Sequence, residues 1–113
     1  MAKIYLPIDY VAGALPKSGT FTPTGGHCFV QCFGSGFSTS AGIVTSMNVL
    51  LDSVSKGTVQ AIISTANTHY AFVPRVIDLG VLTAASHTIQ FTAGTSLSTD
   101  TNDRFQAIVT EVA

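Results

Sequence analysis

The chain has 113 residues, of which 46% are hydrophobic and 10% charged, with a formal net charge of −1 and a mean hydropathy of +0.44. The length fits one domain, and the few scattered cations exclude the basic field that attracts nucleic acid or an anionic membrane surface. Since soluble domains carry roughly 25% charged residues and no apolar run here is long enough to span a bilayer, the composition predicts a homo-oligomer, a dimer or trimer, whose surface is largely covered by protein.

The first 16 residues predict an extended apolar arm rather than part of a folded core. Pro7 and Pro16 oppose both a helix and continuous strand pairing. The arm's apolar side chains, which we expect to bind a partner, are Ile4, Tyr5, Leu6, Ile8, Tyr10, Val11 and Leu15. Residues 1–16 would therefore form the arm and residues 17–113 the domain, and removal of the arm should leave the domain folded.

Seven strands are predicted after the arm, because apolar and polar residues alternate between clusters of turn-forming residues. These strands are expected near 18–23, 27–34, 42–51, 57–65, 69–77, 86–93 and 104–112. Within the segment 69–77 the alternation places Tyr70, Phe72 and Val76 on one face. About seven or eight short strands with regularly spaced turns predict an all-β fold, an antiparallel sandwich of two sheets.

The two cysteines lie in one predicted strand, 27–34. Cys28 and Cys32 would point to the same face about 13 Å apart, at roughly 3.3 Å per residue, which is too far for a disulfide. Two buried, reduced thiols are therefore expected, as suits folding in a reducing cytoplasm.

Several segments of the chain resemble compact jelly-roll domains of phage structural proteins, which share the sandwich of tumour-necrosis-factor-like and complement-type heads. The similar segments are Met47–Asp52, Lys56–Thr58, His69–Pro74, Leu82–Ile89, Thr99–Phe105 and Val109–Val112. The most specific of them are the Ser86–Ile89 strand opening and the Thr101–Phe105 approach to the last strand. The resemblance covers roughly residues 27–113 and implies a jelly-roll sandwich that assembles onto a virion.

Two functions follow from this resemblance. The first is a capsid decoration, or cement, protein that binds the major capsid protein between shell subunits through the apolar arm, lies on the virion surface and is synthesised in the host cytoplasm. The alternative is the receptor- or glycan-binding head of a phage tail fibre or spike. For that role the expected glycan-binding residues are Asn67, His69, Tyr70 and Asp103, which combine polar groups with one aromatic ring.

Catalytic and metal-binding patterns are weak. His27, His69 and His87 stand near predicted strand starts, but neither their spacing nor any nearby carboxylate follows a metal-ligand pattern. The run 34–36 lacks the spacing and the following helix of a nucleophile elbow, and the acidic loop 100–103 is typical of a turn. We therefore expect no enzyme activity, no cofactor and no metal.

Overall fold

The computed structural model describes residues 2–112, which fold into nine strands and no helix. The strands are β1 (Lys3–Ala12), β2 (Lys17–Phe21), β3 (His27–Gly36), β4 (Ile43–Leu51), β5 (Val54–Ile63), β6 (Tyr70–Ala71), β7 (Arg75–Val81), β8 (His87–Ala93) and β9 (Arg104–Val112). Within this described part of the chain, there is no helix long and apolar enough to cross a membrane.

The strands form two antiparallel sheets. In the first sheet β1, β9 and β3 lie side by side, and the other flank of β3 pairs with β7 over residues 27–32 and with β6 over residues 35–36. The second sheet has the order β2-β8-β4-β5. The predicted fold class, an antiparallel jelly-roll sandwich, is confirmed, with nine strands where seven or eight were expected.

The core lies between the sheets and follows the predicted alternation in most strands. Met47 and Val49 of β4, Ile89 and Phe91 of β8, and Phe105 of β9 are fully buried. Cys28 and Cys32 are free and buried in β3, as predicted. Burial raises the pKa of Cys32 to about 12, so its thiol stays protonated and behaves as a small hydrophobe.

The N-terminal segment differs from the expected arm, because Lys3–Ala12 is an edge strand of the first sheet. Its pairing with β9 runs from Lys3 opposite Glu111 to Ala12 opposite Arg104. Two register shifts interrupt the ladder, and Pro7 lies within the first, at a position where a strand tolerates a missing N–H. Ile8 then enters the core with 1% of its surface exposed. Residue 1 lies outside the described residues.

The predicted strand 69–77 is divided in the structure, and the prediction that Val76 lies on the same face as Tyr70 and Phe72 is wrong. The break falls between β6 and β7, where Pro74 cannot donate to a ladder and the Val73 N–H bonds the Gln60 carbonyl of β5 at 2.9 Å. After the break the alternation shifts by one residue. Val76 is 57% exposed, and Ile77 and Leu79 enter the core instead.

Candidate functional site

A groove on the outer face of the first sheet combines aromatic and polar side chains. We call it the Tyr10 groove; its volume is about 260 Å³, and its lining residues are Tyr10, Phe33, Gly34, Ser35, Ala71, Phe72, Pro74, Arg104 and Gln106. Phe33 of β3 and Gln106 of β9 are direct cross-strand partners. Both face outward, because their neighbours Cys32 and Phe105 are buried.

The bulged end of β1 presents the Tyr10 ring to solvent. Tyr10 has a φ of 55°, and it lies between Ile8 and Val11, where the register with β9 shifts. This bend leaves the residue 61% exposed. A bulge commonly re-aims a side chain in this way beside a functional surface.

Arg104 is held against that tyrosine by two contacts. Its guanidinium carbon lies 5.0 Å from the centre of the Tyr10 ring, and its Nη1 donates to the Tyr10 carbonyl at 3.2 Å. Gln106 is oriented too, since its Nε2 donates to the Asp9 carboxylate at 3.3 Å. These contacts restrict the polar groups of the groove, and polar groups restricted in this way lose less entropy when a ligand binds.

Gly34 lines the Tyr10 groove at the β6 side. Its carbonyl accepts the Phe72 N–H at 2.9 Å, and a Cβ at this position would lie 2.6 Å from the Phe105 ring and 3.0 Å from the Phe72 ring. Any larger residue would displace those rings. Because both rings are buried, glycine at this position allows the core beneath the groove to pack.

A second groove lies on the other side of Pro74. We call it the Arg75 groove; its volume is about 380 Å³, and it is lined by Thr58, Val59, Gln60, Val73, Pro74 and Arg75. Arg75 donates from Nη1 to the Thr58 carbonyl at 2.8 Å. Pro74 is common to both grooves.

Beyond the Tyr10 groove, His69 and Asp103 form a polar cluster at one end of the first sheet. Asp103 is fully buried, and its Oδ1 lies 2.7 Å from His69 Nδ1 and accepts the Ser35 hydroxyl at 2.7 Å. Its Oδ2 accepts the Asp100 N–H at 2.9 Å. The hydrogen bond to Asp103 raises the pKa of His69. Asp103 therefore fixes the loop before β9 from within.

His69, Asp100 and Asp103 bring ligand-type atoms within 4.8 Å of one another. However, the two ring nitrogens of His69 face different carboxylates, Nδ1 at 2.7 Å from Asp103 and Nε2 at 3.5 Å from Asp100. Two nitrogens of one imidazole point in divergent directions and cannot both bind the same ion. A hydrogen-bonded imidazole between two carboxylates accounts for this arrangement.

Of the four predicted glycan-binding residues, the structure brings His69 and Asp103 together. Asp103 faces inward and has no surface to offer a ligand. The Tyr70 hydroxyl accepts the Thr65 N–H at 3.0 Å, and its ring packs on the core. Asn67 is exposed in the same loop with a φ of 60°.

The seven apolar residues predicted to bind a partner divide into two groups. Ile4, Leu6, Tyr10 and Val11 are exposed. The other three serve the fold: Ile8 is buried in the core, Leu15 packs against it, and Tyr5 does so while donating its hydroxyl to Glu111 at 2.8 Å.

The sequence interpretation did not place Phe33, Arg104 and Gln106 together in a groove, and it assigned Tyr10 to a capsid-binding arm. A signal for Phe33 was present, because the alternation that buries Cys28 and Cys32 in β3 turns Phe33 outward. The proximity of Tyr10 to Arg104 depends on the pairing of β1 with β9. The sequence interpretation did not predict this pairing, because Pro7 and Pro16 argue against a continuous strand.

The side chains of Asp52, His87 and Thr83 lie in an order that resembles a catalytic triad. His87 Nδ1 lies 2.6 Å from the Asp52 carboxylate, and His87 Nε2 lies 3.2 Å from the Thr83 hydroxyl. The same Nε2 lies 3.0 Å from the Thr83 carbonyl, which can only accept a hydrogen bond. The contact with the carbonyl is a hydrogen bond when Nε2 carries a proton. The hydrogen bond to Asp52 raises the pKa of His87, which favours the doubly protonated ring.

Comparison with known proteins identifies the fold alone. No protein-family model matches the chain, and neither does any curated protein sequence. Among solved structures, dimeric latent PorU from Porphyromonas gingivalis matches 96% of this chain with a TM-score of 0.61 and 10% identity. The chain spans 12% of the length of PorU.

Two other solved structures are similar to the chain over nearly their whole length. One is the CBM36-1 domain of a multidomain xylanase from the hindgut metagenome of Trinervitermes trinervoides, with a TM-score of 0.52, 12% identity, and coverage of 100% of this chain and 98% of that one. The other is a family 35 carbohydrate binding module from Clostridium thermocellum, with a TM-score of 0.52, 12% identity, and coverage of 99% and 92%. The chain thus shares the β-sandwich fold of carbohydrate-binding modules.

Proposed function

We propose that this protein is a glycan-binding domain that holds a sugar in the Tyr10 groove and catalyses no reaction itself. The observation that carries the proposal is the exposed Tyr10 ring beside the planar polar groups of Arg104 and Gln106. A sugar ring has an apolar C–H face and a rim of hydroxyls. An aromatic platform next to fixed hydrogen-bonding groups complements both features.

The position of these groups on a paired sheet supports the proposal. Phe33 and Gln106 are held in register by the β3–β9 ladder, and Arg104 is fixed to the Tyr10 carbonyl. Binding groups on rigid elements keep their geometry better than groups on free loops. The fold shared with two carbohydrate-binding modules adds support at the level of architecture.

Capsid decoration, the first prediction from the sequence, has less support. None of the three solved structures described above is a virion protein. Exposed Ile4 and Leu6 leave part of the expected partner surface available, while Ile8 is buried. Attachment to a capsid, virion localisation and a homo-oligomeric state stay predictions.

The proposal is tested by replacing Tyr10 with Ala and with Phe. A glycan array first identifies bound sugars, and titration calorimetry then measures the affinity of each variant. We expect Tyr10→Ala to weaken binding about tenfold, because the stacking surface is lost, and Tyr10→Phe to retain most of the affinity.

Ile62→Ala is the matched control, since Ile62 is 68% exposed on the second sheet and lies outside both grooves. Equal affinities for Tyr10→Ala and Ile62→Ala would place the sugar elsewhere. If no glycan on the array bound the wild-type protein, the proposed function would be wrong.

A further inference from the structure

We propose that the ligand is a linear oligosaccharide with repeated carboxylate or sulfate groups, which crosses Pro74 and contacts the Tyr10 and Arg75 grooves together. This inference rests on the glycan-binding function proposed above. It adds the charge of the ligand, its minimum length and a second subsite.

Arg104 is a fixed cation with unused donors. A guanidinium has five N–H groups in a planar fork, and one hydrogen bond, to the Tyr10 carbonyl, is formed here. No carboxylate of residues 2–112 lies within 4.0 Å of this guanidinium. The remaining donors suit bidentate contact with an anionic group.

Arg75 repeats this arrangement in the second groove. Its guanidinium donates to the Thr58 carbonyl and packs over Gly57, where a Cβ would lie 3.2 Å from Nη1. It too has no carboxylate of the described chain within 4.0 Å. Among the described residues that line the two grooves, Arg75 and Arg104 are the charged ones.

Nearby acids are already engaged by neutral or histidine partners. Asp9 accepts the Gln106 amide at 3.3 Å, and Asp78 of β7 lies 2.6 Å from His27 Nε2 and accepts the Gly80 N–H at 2.8 Å. Neither acid lines a groove. Within the linings of the two grooves the charged groups are therefore the two arginines, while Asp9 keeps its negative charge beside Gln106 and the whole chain has a net charge of −1.

Pro74 connects the two subsites, because it belongs to the wall of both grooves. Its neighbour Val73 is held to β5 by the bond to the Gln60 carbonyl and is 68% exposed. An extended ligand leaving one groove over this wall meets the other directly. Two linked contacts increase affinity through effective concentration, so a longer chain should bind more tightly than a short one.

The test is calorimetry with four probes: an oligogalacturonate hexamer, its dimer, the methyl-esterified hexamer and a sulfated hexasaccharide. We expect the acidic hexamer to bind about tenfold more tightly than the methyl ester and to weaken as salt is raised. The dimer should bind more weakly than the hexamer. Stronger binding of the sulfated probe than of the acidic hexamer supports the inference with sulfate as the anion.

The variants Arg104→Gln and Arg75→Gln should each reduce affinity for the preferred anionic hexamer about tenfold. Lys3→Gln is the control, since it removes the same charge at the opposite end of β1 from Tyr10. Equal losses in all three variants, or no loss with Arg75→Gln, would overturn the two-groove site. If neutral and anionic hexamers bind equally, the inference about charge fails and glycan binding stands; if no oligosaccharide binds, both fail.

Discussion

Asp103 determines how the last strand is approached, since its single side chain joins three segments. It contacts Ser35 of β3, His69 of the loop before β6 and the Asp100 N–H of its own loop, and its carbonyl accepts the Gly13 N–H at 3.0 Å. A buried carboxylate is tolerated because each of its oxygens has a donor. The residue is therefore structural, although its type and loop position had suggested sugar binding.

Replacement of Asp103 tests this role. Asp103→Ala should lower the free energy of unfolding by about 1–3 kcal/mol, because it leaves the part-buried donors of Ser35, His69 and Asp100 without their acceptor. Asp103→Asn should also destabilise, since an amide in place of Oδ2 would face the Asp100 N–H. Chemical denaturation measures both, with the partly exposed Asp100→Asn as control; equal stability of Asp103→Ala and wild type would contradict the assignment.

The three histidines each lie beside an aspartate, at 2.6 Å for His27 and Asp78, 2.7 Å for His69 and Asp103, and 2.6 Å for His87 and Asp52. Hydrogen bonds to Asp103 and Asp52 raise the pKa values of His69 and His87. Burial alone would raise the pKa of Asp52, but bonds from His87 and the Thr88 N–H lower it overall.

These shifts predict a stability maximum in mildly acidic solution. The contribution of His69 and His87 is complete below their unfolded pKa of about 6.5 and is lost as pH rises through their higher folded values. The contribution of Asp52 is present above its unfolded pKa of about 3.9 and is lost as pH falls through the lower folded value. Urea midpoints measured from pH 3 to 9 should fall on both sides, and His87→Gln should flatten the alkaline side; an unchanged alkaline slope in that variant would refute the assignment.

At the scale of elements, β1 is the strand that most changes the interpretation of the molecule. Its backbone is pressed against β2, because a Cβ on Gly19 would lie 1.6 Å from the Pro7 carbonyl oxygen. Tyr5 and Thr24 both donate to Glu111, whose pKa is raised by burial but lowered to about 2 overall by the Thr24 and Gly26 amides and the two hydroxyls. β1 thus belongs to the folded unit.

Two alanine substitutions in β1 distinguish a packed strand from a free arm. Ile8→Ala should cost about 2–5 kcal/mol of unfolding free energy, because Ile8 is buried between the sheets. Leu6→Ala, at a position 47% exposed, should change stability by about 0.5 kcal/mol or less. Thermal and urea denaturation measure both changes in stability. Similarly small changes for the two variants would show that the segment is a free arm.

The sequence predicts most strands well where one face is buried and the alternation is regular, as in β4, β8 and β9. It fails where proline interrupts a strand, because Pro7 marks a bulge in a paired strand and Pro74 marks a true break, and local sequence does not distinguish the two cases. The Tyr10 groove could not be predicted from the sequence for a related reason. Tyr10, Phe33 and Arg104 come from three strands that meet through long-range pairing.

For the whole molecule, low charge is compensated in part by uncharged polar side chains. The outer face of the second sheet carries Ser46, Asn48, Thr58, Gln60, Gln90 and Thr92, each of which has at least one buried neighbour in its strand. Hydroxyl and amide groups can hydrate a surface without charge. The expectation of a protein-covered exterior stays a prediction, although exposed Ile4, Ile62 and Val81 show where such cover would be most favourable.

The pairing of Lys3 with Glu111 has a practical consequence for the orientation of the domain. The two strand ends meet at one pole, and Arg104 lies seven residues away along β9, about 24 Å at 3.4 Å per residue. A tether, an affinity tag or a host polypeptide joined at that pole would therefore be attached at the end of the first sheet where Lys3 pairs with Glu111. The domain could be immobilised, inserted into another protein or circularly permuted there while Arg104 of the Tyr10 groove stayed about 24 Å from the attachment.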